Sequence, residues 1–559
     1  MKAAELVVKI LEKEGITDAF GIPGAGINPV YRFLKDAGIR HCCMRHEEAC
    51  VHAADGYFKA SNRIALAICT SGPGATNFVT GIYSANIDSV PVLAITGQAN
   101  SWQLGQEAFQ CVDIAKICEP VAKKTYCVKN AADIPEVFRE AFFLMRSGRP
   151  GAVLVDLPLD VQQAELDYDP NGYEPAAVER PAPPDADIER ALDMLDAAKS
   201  PLILMGGGAI LAGGEAELVA LAEYLRIPVI MTFMAKGGMP SGHPLNAGHA
   251  GIQVGQPLGN RVFLDSDLVL GVGCRFSDRH TGDLKVYRGE RRFIHVDVSE
   301  GQFGRIFPAD LNILSDARLA AEALLAGAKR RGMRPVNPER ADSIAGLREK
   351  LRRRTDFAGR PMPPHRVFHE INRGFDSDTI FTSGCGITQI WSGQLQDIDR
   401  PRRYIPSGGA GTLGFEIPGA FGAKVACPDS TVCAVVGDFG FTFMGEELAV
   451  ASALGRPIIV IIVNNAYLGL IVQNQVVGYG FEYEVGMPQN QDGRIDYLKV
   501  AEGYGCAAER VFGPDELAAA IGRAKSSGRT YVIEAICDPK QFCDMGAGLD
   551  SCRSFAPDE

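Results

Sequence analysis

Residues 431–440 read Thr-Val-Cys-Ala-Val-Val-Gly-Asp-Phe-Gly, and residues 458–465 read Ile-Ile-Val-Ile-Ile-Val-Asn-Asn. Each stretch is a short apolar run that ends in a glycine or in polar residues, and a helix-like segment lies between them at 446–449. Continuous apolar runs of this length are typical of strands buried on both faces, as in parallel sheets flanked by helices. The two stretches therefore predict neighbouring parallel strands in an α/β fold, with Asp438 and Asn465 at their carboxyl ends.

The same pattern recurs along the chain. Two stretches rich in proline and charge, 167–187 and 329–364, interrupt it and are interpreted as linkers, and the basic run at 348–354 is interpreted as one exposed helix face. Because 559 residues are too many for one hydrophobic core, we predict an α/β protein of three doubly wound parallel-sheet domains, at 1–165, 188–328 and 365–550. Further apolar runs predict strands at 64–70, 90–96, 152–157, 201–205, 227–233, 268–272, 293–298 and 531–536.

Composition excludes several classes of function. The net charge of -12 argues against nucleic acid or an acidic membrane surface as a partner. The 15 cysteines include no Cys-x-x-Cys pair, which favours thiols in a reducing compartment over disulfides or a zinc site. Residues 1–14 have the pattern of an amphipathic helix, not of a signal peptide, and no apolar run reaches membrane-spanning length. We therefore expect a cytoplasmic protein with no nucleic-acid and no membrane partner.

Asp438 and Asn465 are candidate metal ligands. Ligands of open α/β sheets bind at the carboxyl edge of the strands. A carboxylate and an amide oxygen at that edge suit Mg²⁺ that carries phosphates, and the glycines beside Asp438 allow backbone N–H groups to approach a diphosphate. The alternative that the residues leave open is a tight turn and an unrelated Asn-Asn loop.

These motifs, and the chain as a whole, resemble the thiamine-diphosphate family that includes acetolactate synthase, glyoxylate carboligase and pyruvate oxidase. In that family the Gly-Asp and Asn-Asn segments bind Mg²⁺ and the diphosphate, so the resemblance implies that Asp438, Asn465 and Tyr467 hold the metal. Many members have glycine where this chain has Phe439.

The rest of the third block also resembles the family. Residues 407–414 resemble the loop that grips the aminopyrimidine, and Leu413 then corresponds to the residue that bends the cofactor; the alternative for Leu413 is an ordinary core leucine. Residues 384–388 resemble the segment that holds the diphosphate. The cofactor-binding residues that the resemblance implies in this block are Gly386, Thr388, Gly411, Leu413, Gly437, Phe439, Gly440, Leu468 and Gly469.

In the first block, Glu47 opens a predicted helix and matches the glutamate that hydrogen-bonds the pyrimidine ring, where it promotes removal of the C2 proton of the cofactor. The alternative is an exposed glutamate stabilised by the helix dipole. Gln110 is a candidate for hydrogen-bonding the substrate, and Gly24, Pro73 and Asn77 are the implied cofactor-binding residues. The family places this block of one subunit against the third block of another, so the resemblance implies a homo-oligomer, a dimer at least and more specifically a tetramer.

The middle block resembles the FAD-contacting segments of acetolactate synthase and glyoxylate carboligase. Glycines after predicted strands permit close backbone approach, and an arginine can neutralise dinucleotide phosphates. An ordinary turn is the alternative for the glycines at 206–208. The resemblance implies a bound FAD with a structural role, contacted by Gly206, Gly207, Thr232, Gly273, Arg275, Arg279 and Asp297.

The substrate that the resemblance favours is glyoxylate, because residues 147–151, 279–282 and 464–470 are more similar to glyoxylate carboligase than to acetolactate synthase. Such an enzyme decarboxylates one glyoxylate and joins it to a second, which gives tartronate semialdehyde and CO₂. Two features depart from that pattern. Glyoxylate carboligases have valine in place of Glu47, and both types have an arginine near Val472, where a planar guanidinium suits a carboxylate. We therefore predict carboligation of a small 2-oxo acid, with glyoxylate first and pyruvate second.

Three other classes of function remain as alternatives. A flavin oxidase related to pyruvate oxidase shares the same motifs. A simple decarboxylase commonly has a His-His pair, which this sequence lacks. A binding protein that kept the fold without catalysis is disfavoured by the intact Glu47, Asp438 and Asn465.

Overall fold

Three six-stranded sheets with flanking helices make up the protein in a computed structural model, which describes residues 1–539 and 541–552. Every strand pair within these sheets is parallel. The predicted α/β fold with three parallel-sheet units is confirmed. Among the described residues, no helix combines the length and the apolar character that a bilayer-spanning segment requires.

The first sheet lies within residues 18–158 and has the strand order β2-β1-β3-β4-β6-β5. Its strands are β1 (Asp18–Gly21), β2 (Arg40–Cys43), β3 (Leu66–Cys69), β4 (Leu93–Gln98), β5 (Lys124–Cys127) and β6 (Val153–Pro158). Its helices are α1 (Ala3–Lys13), α2 (Asn28–Leu34), α3 (Glu47–Ser61), α4 (Pro73–Ile87), α5 (Ile114–Cys118), α6 (Ile134–Arg146) and α7 (Leu159–Gln163).

The middle sheet lies within residues 201–314 and has the order β12-β11-β10-β7-β8-β9. Its strands are β7 (Pro201–Met205), β8 (Val229–Met231), β9 (Asn246–His249), β10 (Leu268–Val272), β11 (Arg292–Asp297) and β12 (Leu311–Leu314). The helices here are α8 (Asp185–Asp196), α9 (Gly207–Ala212), α10 (Glu215–Leu225), α11 (Pro257–Leu264), α12 (Asp278–Thr281), α13 (Leu284–Arg288), α14 (Ala317–Arg331) and α15 (Pro338–Leu351).

The third sheet lies within residues 380–536 and has the order β14-β13-β15-β16-β18-β17. Its strands are β13 (Ile380–Ser383), β14 (Tyr404–Pro406), β15 (Val432–Gly437), β16 (Ile459–Asn464), β17 (Ala507–Val511) and β18 (Tyr531–Ile536). The helices are α16 (Pro364–Gly374), α17 (Ile387–Leu395), α18 (Glu416–Ala426), α19 (Asp438–Phe441), α20 (Glu447–Ala453), α21 (Gly469–Gln473), α22 (Tyr497–Gly503) and α23 (Pro514–Ser526), and one π-helical turn covers Asn474–Tyr479.

Small residues let the first and third blocks pack closely through helices α3 and α18. A Cβ built on Gly422 would lie 1.9 Å from the backbone oxygen of Ala53, and one built on Gly56 would lie 2.1 Å from the backbone oxygen of Gly419. Contacts this short leave no room for a side chain. The two helices therefore share one buried core, which holds together the two blocks that carry the predicted cofactor residues.

The basic run at 348–354 is not one exposed helix face, so that prediction is wrong. Arg348 donates hydrogen bonds to the backbone oxygens of His243 and Asn246, against the middle block. Arg353 is buried and forms an ion pair with Asp544. Arg348 therefore connects α15 (Pro338–Leu351) to the middle block, and Arg353 connects the residues after this helix to Asp544 in the third block.

Candidate active site

The carboxyl edge of the third sheet brings the predicted metal ligands together. Strands β15 and β16 are hydrogen-bonded neighbours, with Gly437 opposite Val463, so Asp438 and Asn465 both follow the strands at this edge. Both side chains are buried, at 1% and 2% exposure. A buried carboxylate beside a buried amide needs hydrogen-bond donors or a cation as partners.

Three oxygen atoms face one another at this point. The side-chain oxygen of Asn465 lies 3.3 Å from Asp438 Oδ1 and 3.2 Å from the backbone oxygen of Tyr467. If the Asn465 amide were rotated by 180°, its NH₂ group would take the place of this oxygen and would donate to Asp438 Oδ1 and to Tyr467 O. The rotated orientation is favoured when no cation is bound, whereas a bound cation favours the orientation with the oxygen facing the other two. Because Mg²⁺–O distances near 2.1 Å give octahedron edges of about 3 Å, the two separations from Asn465 are close to those of neighbouring Mg²⁺ ligands. The predicted set of Asp438, Asn465 and Tyr467 therefore meets at one point.

The second oxygen of Asp438 accepts a hydrogen bond from Asn490, which belongs to none of the predicted site segments. Asn490 Nδ2 donates to Asp438 Oδ2 at 2.6 Å. Burial raises the pKa of the Asp438 carboxyl to about 6, and the hydrogen bond from Asn490 opposes that rise. Nothing in the local sequence pattern marks Asn490, because it lies on a 3₁₀ turn far from either predicted strand.

The predicted diphosphate segment follows β13, on the other side of β15 from Asn465. Gly386 has a φ of +87° and directly precedes α17, and the buried Thr388 lies in the first turn of that helix. A Cβ built on Gly437 would lie 3.3 Å from Thr388 Oγ1. The strand order reverses between β13 and β15, and such a switch point is where α/β sheets bind ligands. Backbone N–H groups at this helix N-terminus suit a phosphate.

The predicted aminopyrimidine loop lies beside this edge. Gly411 has a φ of +61°, which favours glycine. Leu413 Cδ2 would lie 3.9 Å from a Cβ built on Gly440, so the leucine packs toward α19, and it is partly exposed. Phe439 packs against Phe443 instead, with ring centroids 5.4 Å apart.

The residues after Asn465 form a loop whose two ends are paired. The backbone N–H of Leu468 donates to Val485 O at 2.9 Å, and that of Met487 donates to Ala466 O at 2.7 Å. Gly469 permits close packing of the loop, because a Cβ there would lie 2.5 Å from Ile387 Cγ2. The middle of the loop is exposed, and its exposed large hydrophobic side chains include Ile471, Val477, Tyr479, Phe481 and Tyr483.

A buried carboxyl group lies between the diphosphate segment and the aminopyrimidine loop. Glu416 is 2% exposed at the start of α18, and burial raises its pKa to about 7. Its Oε1 accepts the backbone N–H of Cys385 at 3.4 Å. A Cβ on Gly384 would lie 2.2 Å from the Glu416 carboxyl carbon, so this glycine is required by the close approach.

The predicted first-block residues surround the start of α3 and α4. Glu47 is the first residue of α3, and Asn77 of α4 donates to its Oε2 at 2.9 Å. Pro73 is the first residue of α4. Gln110 adopts a φ of +54° and lies against Gly72, whose built Cβ would be 2.8 Å from Gln110 Cβ.

Gly24, in the loop after β1, packs against Thr70, which directly follows β3. A Cβ on Gly24 would lie 2.5 Å from Thr70 Cβ. Among the described residues of one chain, the hydrogen bonds and ion pairs of Glu47 include none to the third block, although the backbone N–H groups of Arg45 and His46 both donate to Glu447 Oε1 at 2.9 Å. The described hydrogen bonds and ion pairs of one chain therefore do not link Glu47 to Asp438.

A cavity of about 280 Å³ lies at the carboxyl edge of the middle sheet. Eight arginines or lysines and four carboxylates line it, so it suits an anionic ligand. Six of the seven predicted FAD residues line this cavity: Gly207, Thr232, Gly273, Arg275, Arg279 and Asp297.

The seventh residue, Gly206, packs against the neighbouring turn. Its built Cβ would lie 2.1 Å from the backbone oxygen of Gly273, so close approach of two turns explains this glycine. The neighbouring Gly208 lines the cavity. Arg149, which belongs to none of the predicted ligand-binding segments, also lines this cavity. Burial lowers the pKa of its guanidinium group, and its Nε donates to Ser89 Oγ at 2.8 Å.

Asp88, a buried carboxylate of the first block, binds the backbone of the predicted aminopyrimidine loop at 407–414. Asp88 accepts the backbone N–H groups of Gly408 at 3.0 Å and of Gly409 at 2.6 Å. Lys59 Nζ lies 2.9 Å from both Asp88 and Asp55 and donates to the backbone oxygen of Pro406. No pattern in the sequence identifies these contacts, because Lys59 and Asp88 lie more than 300 residues along the chain from the loop residues that they contact.

Comparison with known proteins identifies the family. Residues 1–117, 188–324 and 384–535 match the N-terminal TPP binding domain, the central domain and the C-terminal TPP binding domain of thiamine pyrophosphate enzymes. The chain is 43% identical to a glyoxylate carboligase of Escherichia coli O157:H7, over 99% of this chain and 96% of that protein.

Acetolactate synthases are also similar to this chain. A large subunit from Corynebacterium glutamicum is 39% identical over 96% of this chain and 87% of its own length. A probable large subunit from Methanocaldococcus jannaschii is 37% identical over 98% and 93%. The predicted resemblance is confirmed, and the chain belongs to the family of thiamine-pyrophosphate-dependent enzymes.

Proposed function

We propose that this enzyme is a carboligase that converts two molecules of glyoxylate and one proton into tartronate semialdehyde and CO₂. The identity of 43% to a glyoxylate carboligase, against 35–39% to acetolactate synthases, supports glyoxylate as the first substrate. Pyruvate is the second candidate, because acetolactate synthases share the glutamate that this chain has as Glu47. Flavin-dependent oxidation of pyruvate is the third.

The observation that carries the proposal is the meeting of three oxygens at the edge of the third sheet. Asp438, Asn465 and the backbone oxygen of Tyr467 would hold Mg²⁺, because the separations of 3.3 and 3.2 Å from Asn465 to the other two oxygens are close to the edges of its octahedron. The N-terminus of α17 and the glycines beside it would hold the diphosphate. Thiamine diphosphate, when bound, supplies the carbon nucleophile that a 2-oxo acid needs to lose CO₂.

Glu47 would exchange a proton with N1′ of the aminopyrimidine. Asn77 holds Glu47 Oε2 at 2.9 Å and so fixes the direction of the carboxyl group. Since the described hydrogen bonds and ion pairs of one chain do not link Glu47 to the third block, we propose that the site forms between the first block of one subunit and the third block of another, in a homodimer or a tetramer built from dimers. Exposed aromatic side chains of the first block, Tyr83, Trp102 and Phe109, would be covered in that assembly.

FAD would occupy the cavity of the middle block. Its surplus of basic side chains offsets the charge of a diphosphate, and the turn glycines allow the backbone to approach the ligand. The role we propose for it is structural. The three blocks at 1–165, 188–328 and 365–550 then act as pyrimidine-binding, central and diphosphate-binding domains, and the free cysteines favour the reducing cytoplasm as their location.

The acceptor pocket of this enzyme would differ from those of its relatives. Val472 is buried at 5% exposure where an arginine is expected, and the two residues before it, Leu470 and Ile471, are also apolar. An apolar surface offers no partner for the carboxylate of the acceptor, so that group would need a partner elsewhere in the site. The loop at 466–487 would therefore set substrate choice.

Product analysis tests the reaction. Purified protein is incubated with Mg²⁺, thiamine diphosphate and either glyoxylate or pyruvate, and the products are identified by mass. We expect tartronate semialdehyde from glyoxylate; acetolactate from pyruvate alone would replace the first candidate by the second, and no CO₂ from either acid would refute both.

A second test addresses Glu47. In Glu47→Val, exchange of the C2 proton of bound cofactor with D₂O should slow by about 100-fold or more, because the proton partner at N1′ is lost. The matched control is Glu48→Val, since Glu48 instead contacts His52 at 3.2 Å, and its exchange rate should stay within about twofold of the parent. Unchanged exchange in Glu47→Val would remove Glu47 from this role.

A further inference from the structure

Asn490 contacts the candidate metal site from a part of the chain that no cofactor motif covers. Its Nδ2 donates to Asp438 Oδ2 at 2.6 Å, while Asp438 Oδ1 faces Asn465. Asn490 is 3% exposed. The two oxygens of the carboxylate therefore have different surroundings, one a hydrogen-bond donor and the other the three-oxygen cluster.

Asn490 is itself held in place by a buried polar chain. Its backbone oxygen accepts Asn464 Nδ2 at 2.7 Å, and the same NH₂ group donates to Glu534 Oε1 at 2.8 Å. Arg510 Nε then donates to Glu534 Oε2 at 2.7 Å. Because Asn464 is the residue before Asn465, the first asparagine of the Asn-Asn pair positions Asn490 while the second faces the metal site.

This chain has two physical consequences for Asp438. The hydrogen bond from Asn490 to Oδ2 prevents the carboxylate from rotating. Only Oδ1 is then available to bind the cation, so Asp438 would be a monodentate ligand. The same hydrogen bond favours the ionised carboxylate, which is the form that binds a cation. Groups that orient a ligand in this way typically change metal affinity by about 10- to 100-fold when they are removed.

We propose that Asn490 is a positioning residue for the Mg²⁺ that carries thiamine diphosphate, and that it acts through Asp438 Oδ2. The inference rests on the proposed function, because it takes Asp438 as a metal ligand. The same contacts connect the exposed loop after Asn465 to the candidate metal site at both of its ends. Asn465 and Tyr467 lie at the site where the loop begins, and Asn490 contacts it just beyond the end of the loop.

Calorimetric titration of Mg²⁺ into the full-length protein with saturating thiamine diphosphate and no substrate tests this role. Asn490→Ala removes the donor together with most of the side chain, and Asn490→Leu removes the donor but keeps a side chain that branches at Cγ. We expect the Kd for Mg²⁺ to rise by about 10-fold or more in both variants. The control is Gln489→Ala, one position away, because the hydrogen bonds described for this residue involve only its backbone; its Kd should stay within about twofold of the parent.

The outcomes separate this inference from the proposed function. A Kd within about twofold of the parent in Asn490→Leu, with a near-UV circular dichroism spectrum like that of the parent, would overturn the positioning role and leave packing as the explanation for any loss in Asn490→Ala. Parent protein that binds thiamine diphosphate without any dependence on Mg²⁺ would overturn the proposed metal site itself, and the role of Asn490 with it.

Discussion

Replacing Asp88 by alanine should destabilise the protein strongly, because this one carboxylate joins three elements. It accepts the backbone N–H groups of Gly408 and Gly409 and the ammonium group of Lys59, at 3.0, 2.6 and 2.9 Å. Its side chain is 1% exposed. Lys59 keeps Asp55 as a counter-ion in the variant, so the loss falls mainly on the hydrogen bonds and not on an unpaired charge.

The magnitude follows from those three contacts. Hydrogen bonds to a charged partner contribute about 1.5 to 3 kcal/mol each, so three of them give roughly 4.5 kcal/mol at the lower limit. Water can reach the partly buried Gly408 and Gly409 in the variant, and we therefore expect a loss of about 4 kcal/mol in the free energy of unfolding. For domains of this size, that loss corresponds to a decrease in Tm of about 10 °C.

Differential scanning fluorimetry of cofactor-free protein measures this decrease, with urea unfolding as a second assay. The matched control is Ser84→Ala, since the buried Ser84 contacts the same loop through one neutral hydrogen bond, to Ser407 Oγ at 3.2 Å. Its loss should be about 1 kcal/mol. If Asp88→Ala lowered Tm by no more than Ser84→Ala does, the claim that Asp88 braces the loop would be refuted.

Two further predictions concern buried charge. The pKa of Glu416 is raised to about 7 from 4.5, so the native state holds a proton that the unfolded state releases; stability from this group is complete below pH 4.5 and is lost as pH rises through about 7. Glu416→Gln should therefore reduce the fall in unfolding free energy between these pH values by about 3 kcal/mol in chemical denaturation, and parallel profiles for the two proteins would contradict this. In Arg275→Ala, loss of a charge at the cavity should weaken FAD binding by about 10-fold or more, measured by flavin retained after dialysis; full retention would argue against a phosphate contact at Arg275.

The sequence predicts the strands of this protein best where burial makes the pattern continuous. The strands at Pro201–Met205, Leu268–Val272 and Tyr531–Ile536 lie where the apolar runs predict them. The short edge strand β14 (Tyr404–Pro406) has no such run, since three residues on the edge of a sheet carry no periodic pattern. The glycines at the ends of central strands could also be interpreted from the sequence. The turns after neighbouring strands approach each other closely, as at Gly206 and Gly273, and this leaves no room for a Cβ.

Asp438 and Asn465 could be placed from the sequence because each follows directly on a buried strand. Parallel strands end at the same edge, so local position alone brings the two side chains near each other. Asp88, Arg149 and Asn490 could not be placed in this way. Asp88 lies 320 residues from Gly408 and Asn490 lies 52 residues from Asp438, and such contacts depend on how helices and loops return over the sheet.

By itself, then, the sequence determined three α/β units and the order of the candidate metal ligands along one sheet edge, because apolar runs and strand ends are local properties. Only the tertiary structure decided which groups orient those residues. A hydrogen bond such as that from Asn490 to Asp438 depends on distances of a few tenths of an ångström between segments remote in sequence, and no spacing along the chain records them.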